Sequence, residues 1–191
     1  MEIPISFDAP PQKFWTREGC AVLERTGVLD QVRYELIEGE LILKMGKNLP
    51  HMRALSVLTG WLYSVFGMLF VMPEPSLDLN PEDNPKSEPQ PDVLVLNCSI
   101  RTLSGRPRPE ELLLVAEVSG EFLGFDLMVK GGLYARAGIA EYWILDLNER
   151  RVIVHRRPEG GQYLERWAYL EEEMVSNLGA PEVSIRVGDL F

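Results

Sequence analysis

The chain has 191 residues, with 19 basic and 29 acidic side chains and a formal net charge of −10. This length suits one domain around a single core, and the negative charge argues against a protein that coats nucleic acid non-specifically. The two cysteines, Cys20 and Cys98, match neither a disulfide framework nor a zinc site, and the N-terminus lacks the basic and apolar regions of a signal peptide. We therefore expect a cytoplasmic protein.

The N-terminal half predicts two helices with short strands around them. Residues 34–44, YELIEGELILK, alternate around a Glu-Gly pair, which is typical of a β-hairpin. The expected elements, in chain order, are a helix from about Phe14 to Arg25, the hairpin, a helix from about His51 to Phe66, and strands at Leu69–Met72 and Ser76–Leu79.

One uncharged run, Ala54–Met72, is nearly long enough to cross a membrane. Serine, threonine and glycine residues interrupt it, and its leucines fall on one helical face. We therefore interpret the run as a helix of a soluble protein that ends near Gly67 and is followed by a short strand.

The C-terminal half predicts a sheet that is covered on both faces. A proline-rich acidic loop precedes two apolar runs with little alternation, which suit buried strands. The expected elements are strands at 92–97 and 112–118, a helix at 122–138, strands at 141–147 and 151–157, and short strands at 161–170 and 182–191. This order predicts an α/β fold, in which helices pack against a mixed sheet.

Two carboxylates lie at the ends of the buried runs. Asp92 opens the first run and Glu117 closes the second, and a charged group is rarely tolerated there without a partner. If the two strands are neighbours, both acids meet at one place and, with the carbonyl oxygen of Val118, form an oxygen set suited to Mg²⁺. Taken singly, each acid could equally end its strand in solvent.

The chain resembles the PD-(D/E)xK nuclease superfamily, and within it the Uma-two family of restriction-type endonucleases. The matching segments are YELIEGEL at 34–41, His51, PDV at 91–93, EVS at 117–119 and AGIAEYWILD at 137–146. The resemblance implies a restriction-endonuclease-like core, with a central mixed β-sheet, flanking helices, an N-terminal hairpin and C-terminal short strands. It implies one domain over 1–191, with residues 1–30 as a partly helical extension.

The superfamily places a lysine two residues after the glutamate, where this chain has Ser119. The resemblance suggests that Lys130 replaces that lysine, since FDLMVK matches the Asp-x-x-x-Lys pattern of the family. Asp92, Glu117 and Lys130 are then the expected catalytic residues. The alternative is a surface ion pair between Asp126 and Lys130, which are four residues apart on one helix.

Glu35 and His51 are further candidates. The resemblance implies that Glu35, in the hairpin, is an additional acid near the metal, whereas a hairpin glutamate could equally be exposed. His51 could contact a phosphate or carry protons, or it could be structural. Seven arginines are candidates for a local basic groove: Arg101, Arg106, Arg108, Arg150, Arg151, Arg156 and Arg157.

Two functions from different classes are consistent with these features. The first is a metal-dependent endonuclease that uses Mg²⁺ or Mn²⁺ to hydrolyse DNA, most simply as a homodimer with paired sites. The second is a non-catalytic homo-oligomeric interaction protein that retains the nuclease fold and binds partners through exposed sheet edges. Convergence of Asp92, Glu117 and Lys130 in space would favour the enzyme.

Overall fold

The N-terminal elements are a helix, a hairpin and a long second helix. The structure is a computed structural model and describes residues 13–29, 32–44, 46 and 48–191. Its first elements are α1 (Arg17–Arg25), β1 (Tyr34–Ile37), β2 (Glu40–Leu43) and α2 (Leu49–Phe66). α2 begins two residues before the predicted start, because the side chain of Asn48 caps it by accepting a hydrogen bond from the His51 amide. Among the described residues, no helix is long and apolar enough to cross a membrane.

Six strands form the central sheet. They are β3 (Val71–Pro73), β4 (Val93–Leu96), β5 (Leu112–Ser119), β6 (Glu141–Asp146), β7 (Arg151–Glu159) and β8 (Gln162–Tyr169). The strands lie side by side in this order, and only β5 and β6 are parallel. A parallel pair needs a crossover, which here is a helical segment between the two strands. The predicted mixed sheet with flanking helices is thus confirmed.

The crossover helix contains an irregular turn. It consists of α3 (Leu123–Phe125), a π-helical turn (Asp126–Lys130) and α4 (Gly131–Arg136), with helical dihedral angles at both junctions. A π-helical turn changes which residues share one face of a helix and occurs often at functional sites. In this protein both ends of the turn, Asp126 and Lys130, are buried.

Two apolar clusters pack on opposite faces of the sheet. On one face, Leu58 and Leu62 of α2 pack with Trp143 of β6. On the other face, Leu133 and Tyr134 of α4 pack with strand residues of the same sheet. Cover on both faces explains why the strands are continuously apolar rather than alternating.

Three strand predictions need correction. Residues 76–79 form no strand; their extended backbone bonds to loop carbonyls, since Leu77 donates to Pro89 and Asp78 to Pro107. A 3₁₀ turn at Met68–Phe70 delays the start of β3. The C-terminal segment forms only β10 (Ser184–Arg186), which pairs with β9 (Met174–Ser176), and then turns so that Val187 and Leu190 are buried.

Candidate active site

Asp92 and Glu117 lie next to each other on neighbouring strands. Val93, the first residue of β4, pairs with Ala116 of β5, which brings the preceding residue Asp92 beside Glu117. The Val118 amide donates a hydrogen bond of 2.9 Å to Asp92 Oδ2. Both carboxylates are 4% exposed. The sequence-predicted convergence of these two acids is therefore present in the fold.

Lys130 joins this pair from the crossover helix. Its Nζ lies 2.9 Å from Glu117 Oε1, 2.8 Å from Glu35 Oε1 and 3.8 Å from Asp126 Oδ1. The lysine is itself 4% exposed. The ion pair between Asp126 and Lys130 is thus present, but it is buried and not at the surface, because the two residues face inward at the ends of the π-helical turn.

Glu35 is a buried member of the same group and not an exposed hairpin residue. Its carboxyl group is 4% exposed and contacts Lys130 through one oxygen. The other oxygen accepts a hydrogen bond of 3.1 Å from the backbone amide of Gln90, in the loop before β4. The hairpin thus brings a third carboxylate to the site, on an element separate from the central sheet.

Sequence reasoning missed Tyr134. Its hydroxyl donates a hydrogen bond of 3.1 Å to Glu117 Oε1, the oxygen that also contacts Lys130. Tyr134 follows Lys130 by four residues, and residues at that spacing share one helical face. The spacing was therefore the available signal, although a tyrosine in an apolar helix is also typical of a core residue.

His51 contacts the site from the first turns of α2. Its Nε2 lies 3.2 Å from Asp92 Oδ2. The other ring nitrogen, Nδ1, is buried and has no hydrogen-bond partner among the described residues. The fold thus brings all the sequence-predicted residues, including the three additional candidates Glu35, His51 and Asp126, to one location.

The carboxylates of the site outnumber its permanent positive charge. Burial raises the pKa of Glu117 to about 8, and the neighbouring acids Asp92, Asp126 and Glu35 add to the effect of burial, while Lys130 opposes it. Burial also raises the pKa of Asp126. For Lys130, burial alone would lower the pKa, but the surrounding carboxylates outweigh burial and raise it. The ammonium therefore stays charged, and because Glu117 keeps its proton up to about pH 8, the negative charge that exceeds that of Lys130 comes from the other acids.

This charge surplus fits a divalent cation. Carboxylate and carbonyl oxygens are the ligands that Mg²⁺ prefers, and it usually takes only one or two carboxylates from a protein. Within the ranges that the structure describes, no group of three or more His, Cys, Asp or Glu side chains could hold a metal ion. Asp92 and Glu117 alone would leave most of the coordination shell of such an ion to main-chain and water oxygens.

The acids lie in a pocket of about 720 Å³. Its rim includes the apolar side chains of Leu43, Phe122 and Leu147, beside the exposed polar residues Asn48 and Glu121. None of the seven arginines considered for a basic groove lines it. Six of these arginines form ion pairs with acids elsewhere: Arg106, Arg108, Arg150, Arg151, Arg156 and Arg157.

Comparisons with known proteins agree with this architecture. The family model Uma2, described as "Putative restriction endonuclease", matches residues 23–188. A crystal structure from Anabaena variabilis ATCC 29413, described as "a putative nuclease belonging to DUF820", is similar with a TM-score of 0.64 and 17% sequence identity. The similarity covers 84% of this chain and 90% of that one, and it supports the fold. No curated protein matches the chain.

Proposed function

The chain belongs to the Uma2 family, and from this premise we propose that it is a metal-dependent endonuclease that hydrolyses phosphodiester bonds of DNA. One observation carries the proposal: a buried lysine whose ammonium lies within 2.9 Å of two carboxylates at the floor of an open pocket. Burying such a group costs free energy that an apolar core would not, so its presence favours a function that needs the charges.

Each residue has a distinct role in this proposal. Asp92 and Glu117, with the carbonyl group of Val118, hold Mg²⁺ or Mn²⁺. The bound ion would supply Lewis-acid stabilisation of charge on the phosphate and increase the acidity of water. Lys130 orients Glu117 and provides a fixed positive charge next to the reacting phosphate.

Four further residues position Lys130, Glu117 and Asp92. Glu35 and Asp126 keep Lys130 protonated, since their charges raise its pKa. Tyr134 shares the Glu117 oxygen with Lys130 and so fixes the direction of that carboxylate. His51 contacts Asp92 and is placed to carry a proton or to contact a phosphate.

The non-catalytic alternative has less support. A protein that needed only the fold for partner binding would gain stability from an apolar floor, because replacing buried ion pairs by packed apolar residues is often stabilising. The pocket instead retains four buried carboxylates, Glu35, Asp92, Glu117 and Asp126. Exposed sheet edges are equally compatible with both functions.

A two-fold dimer in the cytoplasm is part of the proposal. β8 is an edge strand of the central sheet, and its exposed side chains include Leu164 and Trp167. Covering such an edge with a second copy would remove unpaired backbone groups and exposed apolar area from water. Sedimentation at micromolar concentration should give a dimer, and a monomer would refute this part.

The experiment that tests the enzyme is a titration of Mg²⁺ and Mn²⁺ with plasmid and single-stranded DNA. We expect cleavage that requires the metal and is lost in Asp92→Ala. Tightly folded protein that cleaves neither DNA at any metal concentration would favour the non-catalytic alternative. Calorimetry on Glu117→Gln provides the matching binding test, because metal affinity equal to that of the native protein would remove Glu117 from the metal site.

A further inference from the structure

Two exposed apolar side chains of the pocket, Leu43 and Phe122, favour one form of DNA as its occupant. Phe122 follows β5 and starts the crossover helix, and its side chain is 58% exposed. Leu43, at the end of β2, is 62% exposed. We propose, building on the proposed nuclease function, that the pocket takes an unpaired nucleotide of single-stranded DNA whose base stacks on Phe122.

The ring of Phe122 can stack with an unpaired base but not with a base that is paired inside a duplex. Aromatic side chains bind single strands because every base has a face on which they can stack, whatever the sequence. Bases inside a duplex already stack on their neighbours, so they reach an aromatic ring only after being extruded. Phe122 lines the same pocket as Glu117 and Lys130, so a stacked base would lie near the acids.

The charges of the pocket weigh more against a duplex than against a single strand, because a duplex carries the higher density of phosphate charge. Binding of double-stranded DNA depends on many lysine and arginine contacts to phosphates. Among the described residues that line the pocket, only Lys44 and Lys130 carry a permanent positive charge. Lys44 Nζ donates to the Gln90 carbonyl at 2.5 Å, and Lys130 is held by Glu35 and Glu117. Neither residue belongs to a row of cations that could follow a duplex backbone.

The dimensions of the pocket agree with a nucleotide-sized occupant. Its volume of about 720 Å³ lies within the roughly 300–1,000 Å³ typical of small-ligand sites. A single nucleotide can enter such a pocket with its base against the rim and its phosphate toward the floor.

The test compares binding and cleavage of a labelled oligonucleotide in two forms. Fluorescence anisotropy without divalent metal measures affinity for the single strand and for the duplex of the same sequence. We expect the single strand to bind at least about tenfold more tightly, and Phe122→Ala to weaken its binding by about tenfold, as expected for the loss of one stacked base. Phe122→Trp should restore the affinity, because it restores the ring.

Trp15→Ala is the matched control, since Trp15 is another exposed aromatic residue but lies just before α1 and not in the pocket. It should bind the single strand like the native protein. Equal or tighter binding of the duplex, or unchanged binding by folded Phe122→Ala, would overturn the inference. Single-strand binding without cleavage in Mg²⁺ would refute the nuclease function but support a single-stranded ligand. Duplex cleavage unaffected by Phe122→Ala would support the nuclease function but refute the stacking of an unpaired base on Phe122.

Discussion

Glu117 and Glu141 are both buried on neighbouring strands of one sheet, yet their surroundings differ. Glu141 is fully buried and accepts hydrogen bonds from four residues: Trp143, Arg156, Asn177 and Leu178. Glu117 has two donors, Lys130 and Tyr134, and three other acids beside it. A buried carboxylate with its donors complete serves structure, while one surrounded by excess negative charge is suited to a cation.

The largest expected effect is on the rate of DNA cleavage, and it distinguishes the site around Glu117 from the surroundings of Glu141. Lys130→Ala should lower DNA cleavage by on the order of 10²-fold or more, because the reacting phosphate loses its fixed positive charge. The rate should be measured at saturating Mg²⁺. Glu141→Gln is the matched control, since it alters an equally buried carboxylate outside the pocket. Cleavage by Lys130→Ala at the native rate would leave the two carboxylates as the only catalytic groups.

The second largest effect is on the free energy of unfolding, which should respond to changes at Glu141. Glu141→Ala should lower the free energy of unfolding by about 3 kcal/mol, because it leaves the mostly buried Arg156 without its carboxylate and the Trp143 and Leu178 N–H groups without an acceptor. Urea denaturation would measure the loss. Activity of the folded fraction should stay unchanged, and a selective loss of activity instead would contradict the structural role of Glu141.

An acid at the edge of an apolar run occurs at both regions, so this pattern without the family resemblance does not distinguish them. Asp92 opens DVLVLN and Glu141 opens EYWILD, each an acid before a buried strand. The difference arises from distant residues: Glu141 receives its donors from Asn177 and Leu178, more than thirty positions along the chain. Periodicity carries no information about such contacts.

Other parts of the site were predictable to different degrees. The apolar runs located Asp92 and Glu117, and the family pattern located Lys130. The apolar pattern did not predict the burial of Glu35, since either face of a short hairpin can be covered, depending on what packs against it, and only the family resemblance indicated that Glu35 lies near the site. The π-helical turn was invisible because helix propensity does not distinguish it from a regular turn. The mixed sheet followed from the order of elements, but the absence of a strand at 76–79 depended on loop contacts.

The next effect is a dependence of stability on pH, and it comes from a third buried titratable group, His155. His155 is fully buried against Tyr142 and Tyr163, and burial, followed by the charge of Arg166, lowers its pKa to about 4 from 6.5. The unfolded chain binds the proton more readily, so stability is complete above pH 6.5 and is lost as pH falls toward 4. The loss should reach about 3 kcal/mol. Denaturation midpoints in His155→Phe should lack this loss on acidification and keep only the opposite slope that Glu117 contributes, and a loss as large as that of the native protein would refute the assignment.

Glu117 should produce the opposite slope. Its pKa is raised from 4.5 to about 8, mainly by burial. The folded state therefore binds the proton more readily, and this stability is present below pH 4.5 and lost as pH rises to 8. Between pH 6.5 and 8, where His155 no longer titrates, the loss should be on the order of 2 kcal/mol. Glu117→Gln should remove this slope, whereas Glu141→Gln should retain it.

The smallest expected effect concerns Ser119, which occupies the position of the superfamily lysine. Its side chain is buried at the end of β5 and lines the pocket, but it carries no charge. Ser119→Ala should therefore cleave DNA within about twofold of the native rate, in contrast to Lys130→Ala. Introducing Ser119→Lys into the Lys130→Ala protein tests the reason for this difference. If a positive charge beside Glu117 is what the site requires, the added lysine should recover part of the lost activity, because β5 directs that position into the same pocket. A loss of more than about tenfold in Ser119→Ala would instead show that the hydroxyl group itself contributes, and Lys130 would no longer account for the missing motif residue by itself.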